Sequence, residues 1–342
     1  MSTNVILQKI ILEEVEKIIH QTGQKTSSVL PLILNISKHA TLRRMRLETN
    51  LTLEDLFNLK KHFGISIDTV LNDEESKIYF DYQPMVKKDF CLENYLNQLL
   101  KNMQTLYEQE HPEMTITINN TPFFTLFNFP NLLKAKLFFW AKNQIAVPEL
   151  KDESLETFYF SSEILKKTNE LLQLYLKIPT KEIYDPDILR GFVREIYFHH
   201  ISKEINDENT IQLYDEMIEL VNHLKNQAEH GLKYEYGKKM ESKDEKKIEI
   251  YYNEVLNSTA IFHYKTKTSE GLFMTQNFLN PVHITDKTYV QETNKVLINM
   301  IRSSSKISTS NSKTRNSYFD EIDKMIQKYK RKVIMEREFS EN

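Results

Sequence analysis

Residues 37–47 read Ser-Lys-His-Ala-Thr-Leu-Arg-Arg-Met-Arg-Leu, with Lys38, His39, Arg43, Arg44 and Arg46 interleaved among apolar positions. A basic helix of this kind is chemistry for nucleic acid. Lys38, His39 and Thr41 are expected to face base edges, and Arg43, Arg44 and Arg46 to reach phosphates or guanine edges. Arginine suits both targets because its planar fork bonds bidentately to either. No acid stands between Glu16 and Glu48, although residues 1–75 hold nine Lys/Arg and ten Asp/Glu, so the basic character is local. Ser37, Lys38, His39, Thr41, Arg43, Arg44 and Arg46 are the candidate DNA-binding residues. The competing reading is a solvated basic face, or a fold kept for protein contacts.

A second constellation pairs Glu195 with His199 and His200 with Glu204, each four apart on a predicted helix. Such spacing places carboxylate and imidazole on one face, as a metal site or an acid/base couple requires. The run lacks the complete HExxH signature and an assignable third ligand, so a solvated or locally hydrogen-bonded helix face is the expectation. No Walker loop, dinucleotide glycine fingerprint or GxSxG elbow occurs, and 6 Gly leave little for phosphate-cradling loops. The single cysteine, Cys91, excludes an intramolecular disulfide and a cysteine-based zinc site, and reads as a small buried hydrophobe. No catalytic residue, metal or cofactor is therefore expected, and the chain is not read as an enzyme; a metal-dependent helical enzyme on 195–204 is the remote alternative.

The elements that must position the basic helix follow from periodicity and caps. Leu7, Ile11, Val15 and Ile18 recur at helical spacing over residues 5–21, and Gly23 ends that helix. A short apolar helix over 30–36 ends at Asn35, which tolerates the left-handed conformation of a tight turn. Pro31 there is acceptable in a first turn, where N–H groups are unpaired anyway. Ser37 then caps the basic helix. Thr52 with Asp55 forms a capping-box pattern that starts a helix through Phe63, and residues 66–71 are expected to form a fifth. Two short helices joined by a tight turn make the helix-turn-helix shape, whose second helix enters the major groove.

With these residues in place, the run SKHATLRRMRLETNLTLEDLFNLKKHFGISIDTVL resembles the lambda-repressor-like (XRE/Cro-type) helix-turn-helix domains of bacterial transcriptional regulators. The similarity lies in Ser37, the pair Arg43 and Arg44, the opening Leu51 to Glu54, and His62 to Asp68. It implies five helices packed around the second and third, binding of double-stranded DNA, and a homodimer. Leu47 and Asn50 stand where such regulators often carry Gly and Pro, which predicts a different loop conformation after the third helix.

The remaining residues have material for substantial cores: of 342 residues 40% are hydrophobic and 11% aromatic, with a net charge of -3. Three regions are expected: a helix-turn-helix domain over 1–75, a helical sensor or assembly region over 76–237, and a small α+β portion over 238–342. The overall class is mainly α, with about three antiparallel strands in the last portion, read from 248–252, 259–264 and 272–275. Helices are expected at 160–177, 185–203 and 209–232, and Thr115 to Ile118 as one short strand. The Phe/Trp-rich segment 122–140 reads as core, with an apolar effector pocket as the alternative. Lys324 to Lys332 form a basic face on a last helix. No secretory signal or membrane span is visible, so a cytoplasmic location is expected. Together these features predict a sequence-specific transcriptional regulator with an unidentified small-molecule signal; the alternative is a protein-interaction adaptor that keeps the fold without reading DNA.

Overall fold

The computed structural model describes residues 3–21, 23–63, 65, 78, 80–81, 91–240, 246–255, 259–277 and 280–340. The chain divides into an N-terminal unit, Met1–Tyr79, and a C-terminal unit, Phe80–Asn342.

In the N-terminal unit, α1 (Thr3–Gln21), α2 (Thr26–Leu34), α3 (Lys38–Met45) and α4 (Leu53–Phe63) surround one small core. Ile11, Leu12, Val15 and Ile19 of α1 meet Leu30 and Leu34 of α2 and Leu59 of α4. Helix α2 starts earlier than its apolar run, so Pro31 lies in the helix interior rather than in its first turn. A proline there has no N–H for the Ser27 carbonyl, and Ser27 is exposed, where water can satisfy it. The expected fifth helix, 66–71, lies outside the described residues.

The C-terminal unit is organised by a seven-stranded mixed sheet of order β6-β5-β4-β1-β2-β3-β7. Its strands are β1 (Glu113–Ile118), β2 (Thr180–Tyr184), β3 (Ile248–Tyr252), β4 (Ile261–Lys265), β5 (Glu270–Asn277), β6 (Asn280–Ile284) and β7 (Ser305–Lys306). The three adjacent strands β1, β2 and β3 are parallel. The flanking pairs β1–β4, β4–β5, β5–β6 and β3–β7 are antiparallel. The helices are α5 (Leu92–Tyr107), α6 (Phe123–Leu126), α7 (Pro130–Phe139), α8 (Ser162–Lys177), α9 (Arg190–Ile201), α10 (Asp207–His230), α11 (Lys287–Arg302) and α12 (Ser312–Ser340). Met114, Ile116 and Ile118, with Ile248 and Ile250, enter the large core shared with α5 to α10 and α12. Ile183, Ile261, Leu272 and Ile284 face α11 through Val290 and Leu297.

This arrangement overturns the expected class of a mainly α chain with a small three-stranded C-terminal portion. The sheet begins at β1, inside the region read as a helical bundle, and spans the expected break at 237. Strands β3 and β4 are consecutive in sequence, yet β1 and β2 lie between them. Cys91 is exposed at the start of α5 rather than buried. The aromatic segment 122–140 is core: Phe124, Phe127, Phe129, Phe138, Phe139 and Trp140 are all buried. Helices α10 and α12 run antiparallel, since Lys225 pairs with Asp320 and Lys330 with Asp215. Lys330 of the basic face is thereby engaged within the chain, as is Lys332, which sits 4.0 Å over the Tyr197 ring.

Strand β2, Thr-Lys-Glu-Ile-Tyr, has no apolar run, because one of its inward positions is Glu182. Its carboxylate accepts from the Tyr175 hydroxyl (2.6 Å) and the Tyr184 hydroxyl (3.0 Å). Lys233, fully buried, donates to the Tyr175 carbonyl (2.5 Å) and the Ile178 carbonyl and lies 4.1 Å over the Tyr175 ring. It thus adds a second donor to the Tyr175 carbonyl, which the Ile178 N–H also reaches at 3.3 Å, and bonds the Ile178 carbonyl just beyond α8. Burial pushes the Lys233 ammonium down to about 7, against the Glu182 charge. Removing a buried lysine that donates to two carbonyls and whose charge offsets a buried carboxylate costs on the order of 3 kcal/mol. Lys233→Met is therefore expected to destabilise the C-terminal unit by that order in chemical denaturation. The double variant with Glu182→Gln should recover part of the loss.

Candidate nucleic-acid interface

Helix α3 is held by its caps and by α1 and α4. Asn35 takes the left-handed conformation (φ 53°, ψ 40°) at the end of α2. The Ile36 N–H bonds to the Pro31 carbonyl at 3.2 Å, and one residue later Ser37 accepts from the Ala40 N–H at 3.2 Å. The turn between the helices is therefore two residues, Asn35 and Ile36, with the Ser37 cap behind them.

At the far end, the Leu47 N–H bonds to the Arg44 carbonyl (3.0 Å) and the Glu48 N–H to the Arg43 carbonyl (2.8 Å). These are the paired bonds of a Schellman ending. Leu47 occupies its left-handed position at φ 60°, where glycine is the usual choice. The loop thus takes a left-handed, glycine-type conformation at Leu47 despite the leucine. The strain, roughly 1–2 kcal/mol for a residue with a Cβ, is offset by packing, because Leu47 lies against the N-terminal core.

Gln8 fixes this loop to α1. Its Nε2 donates to the carbonyls of Arg44 (2.8 Å) and Thr49 (2.9 Å), and its Oε1 accepts from the Leu51 N–H (2.9 Å). Asp55 fixes it to α4: one oxygen accepts from Arg44 Nε and from the Thr52 N–H, both at 2.8 Å. The Asp55 N–H donates to the Thr52 hydroxyl at 3.1 Å, completing the capping box. Gln8 was not a sequence-level candidate. Among the described residues of α1 it is the one polar side chain that is buried, and nothing in the sequence but its place beside the apolar stripe pointed to it.

The seven candidate residues separate accordingly. Ser37, Lys38, His39, Arg43 and Arg46 are exposed. Thr41 is 1% exposed, and its hydroxyl donates to the Ser37 carbonyl. The Arg44 side chain is 15% exposed and committed to Asp55. Arg43 and Arg46 both approach Glu48, at 3.7 and 4.0 Å, as exposed pairs of the kind that contribute little.

The constellation at 195–204 resolves into partnerships other than the four-residue pairs. Glu195 binds Lys136 of α7 at 2.6 Å, with Lys136 nearly buried. His199 is fully buried and stacked on Phe139 at 3.9 Å; its Nδ1 meets Glu204 and its Nε2 meets the Asn143 amide at 2.9 Å. The second Glu204 oxygen takes Lys142 at 3.0 Å. His200 lies 3.5 Å from both Asp207 and Glu336, at a cleft of about 220 Å³ that Lys203 and Arg337 also line. Among the described residues, no group of His, Cys, Asp and Glu has the arrangement of a metal site. With His199 held between Phe139, Asn143 and Glu204, this seam joins α7 to α9.

Burial holds the His199 imidazole below its usual range despite the Glu204 charge. It lowers His223, whose Nε2 faces the Gln227 amide, to about 4. A histidine depressed in the folded state contributes stability above its ordinary value of about 6.5. That contribution is lost as pH falls toward the folded value. Denaturation of the full chain should therefore show the C-terminal unit weakening between about pH 6.5 and 4, by about 3 kcal/mol from His223 alone. His223→Gln should flatten that slope by up to one proton.

The division of the arginines has a direct check. Asp55→Ala or Arg44→Ala is expected to cost about 2–4 kcal/mol of N-terminal stability, through the lost cap and the unpaired partner. Arg43→Ala and Arg46→Ala should stay within about 0.5 kcal/mol in thermal melts.

Comparison with known proteins finds no family model, no curated protein and no solved structure that matches this chain.

Proposed function

We propose that the N-terminal unit is a helix-turn-helix module that presents α3 to the major groove of double-stranded DNA, and that the chain is a sequence-specific transcriptional regulator. The observation that carries this reading is the partition of α3: Thr41 and Arg44 are tied inward, while Lys38, His39, Arg43 and Arg46 stand outward on a helix capped by Ser37. Lys38 and His39, in the first turn, are the residues for base edges. Arg43 and Arg46 are the residues for phosphate, and Glu48 is displaced from them when DNA binds.

The C-terminal unit takes the role of sensing a signal or mediating assembly. Two copies would place two α3 helices on successive half-sites, multiplying a modest single-site affinity. Among the described residues, no helix is long and apolar enough to cross a membrane; the cytoplasmic location belongs to this proposal.

Selection of duplexes from a random pool, followed by titration at several salt concentrations, tests the reading. Binding should fall steeply with salt, and Arg43→Ala with Arg46→Ala should weaken it at least tenfold while lowering the log–log salt slope by about 2. Absence of salt-sensitive binding to any duplex would overturn it.

A further inference from the structure

Helix α4 buries Asp55 and Leu59 against its own unit but turns Leu53 and Phe57 outward, 86% and 64% exposed. The two residues are one turn apart and form a single ledge, continued by exposed Lys60 and Lys61. Charge along the helix is segregated: Glu54 and Asp55 lie in the first turn, and Lys60, Lys61 and His62 in the last. Asp55 is committed to Arg44, which leaves Glu54 as the outward acid.

We infer that this face of α4 is the contact between two copies of the chain, the two α4 helices running antiparallel about a two-fold axis at Phe57. A two-fold contact must be self-complementary, and this pattern is. With Phe57 opposite Phe57 of the second copy, Glu54 falls opposite Lys60 and Lys61, and Leu53 lies along the Lys61 stem. Parallel pairing would set lysines against lysines and is rejected by charge. A single helix seam is smaller than the roughly 1,200 Å² of a stable standard interface, so the association is weak and concentration-dependent. The inference locates the two-copy assembly proposed above and rests on that part of the reading. Its test uses no DNA, so the two fail separately.

Sedimentation of the full chain over a concentration series is expected to show a reversible dimer. Phe57→Ser, at an exposed position, should raise its dissociation constant at least tenfold. Lys60→Glu with Lys61→Glu should weaken it similarly, and adding Glu54→Lys to that pair should restore it. A chain that stays monomeric at every concentration, a dimer indifferent to Phe57→Ser, or a charge-reversed chain not rescued by Glu54→Lys would each overturn the inference.

Discussion

The buried carboxylate of Asp55 is the interaction on which the geometry of the N-terminal unit depends. A buried carboxylate is costly unless its charge is answered and its lone pairs are bonded. Here one oxygen is shared between the guanidinium of α3 and the N–H of Thr52, the residue just before α4. Gln8 then spends its amide on the same connection from α1. Three helices are thus fastened to the residues just after α3, and the helix has little freedom to tilt. The outward side chains of α3 depend on this anchorage for their spacing.

The C-terminal unit solves a related problem at its centre. Parallel strands need both faces covered. Helices α5 to α10 and α12 cover one face, and α11 packs on the other. The inward charge of β2 is tolerated because two tyrosine hydroxyls donate to it and the charge of the buried Lys233 opposes it. The lysine in turn donates to carbonyls at and just beyond the end of α8. Polar groups at this depth fix the register of β2, since sliding it by one residue would turn Lys181 into the large core and take Glu182 from the Tyr175 hydroxyl.

Most of the N-terminal unit was legible in the sequence because its signals are local. Asn35 at the turn, Ser37 at the cap and the Thr52–Asp55 box each act within four residues. The division of the arginines was not legible, because Arg44 and Asp55 are eleven residues apart. The sheet was hidden for two physical reasons. Charged Lys181 and Glu182 disguise β2. Strand order depends on pairings far apart in sequence, so a run of three strands read as a meander when β3 and β4 flank β1 and β2. The partners of Glu195, His199 and His200 could not be read from their spacing, because they come from outside α9 or from beyond its end.

The place of β4 in the sheet has a kinetic consequence. Its pairing with β1 joins Glu113 to Lys265 and Ile116 to Phe262. Closing so long a loop before any contact repays it makes for slow folding, whereas helices joined by short turns fold fast. The N-terminal unit therefore acquires its structure early. Among the strand pairings of the C-terminal unit, that of β1 with β4 is the contact whose formation is delayed most by the length of chain between its partners.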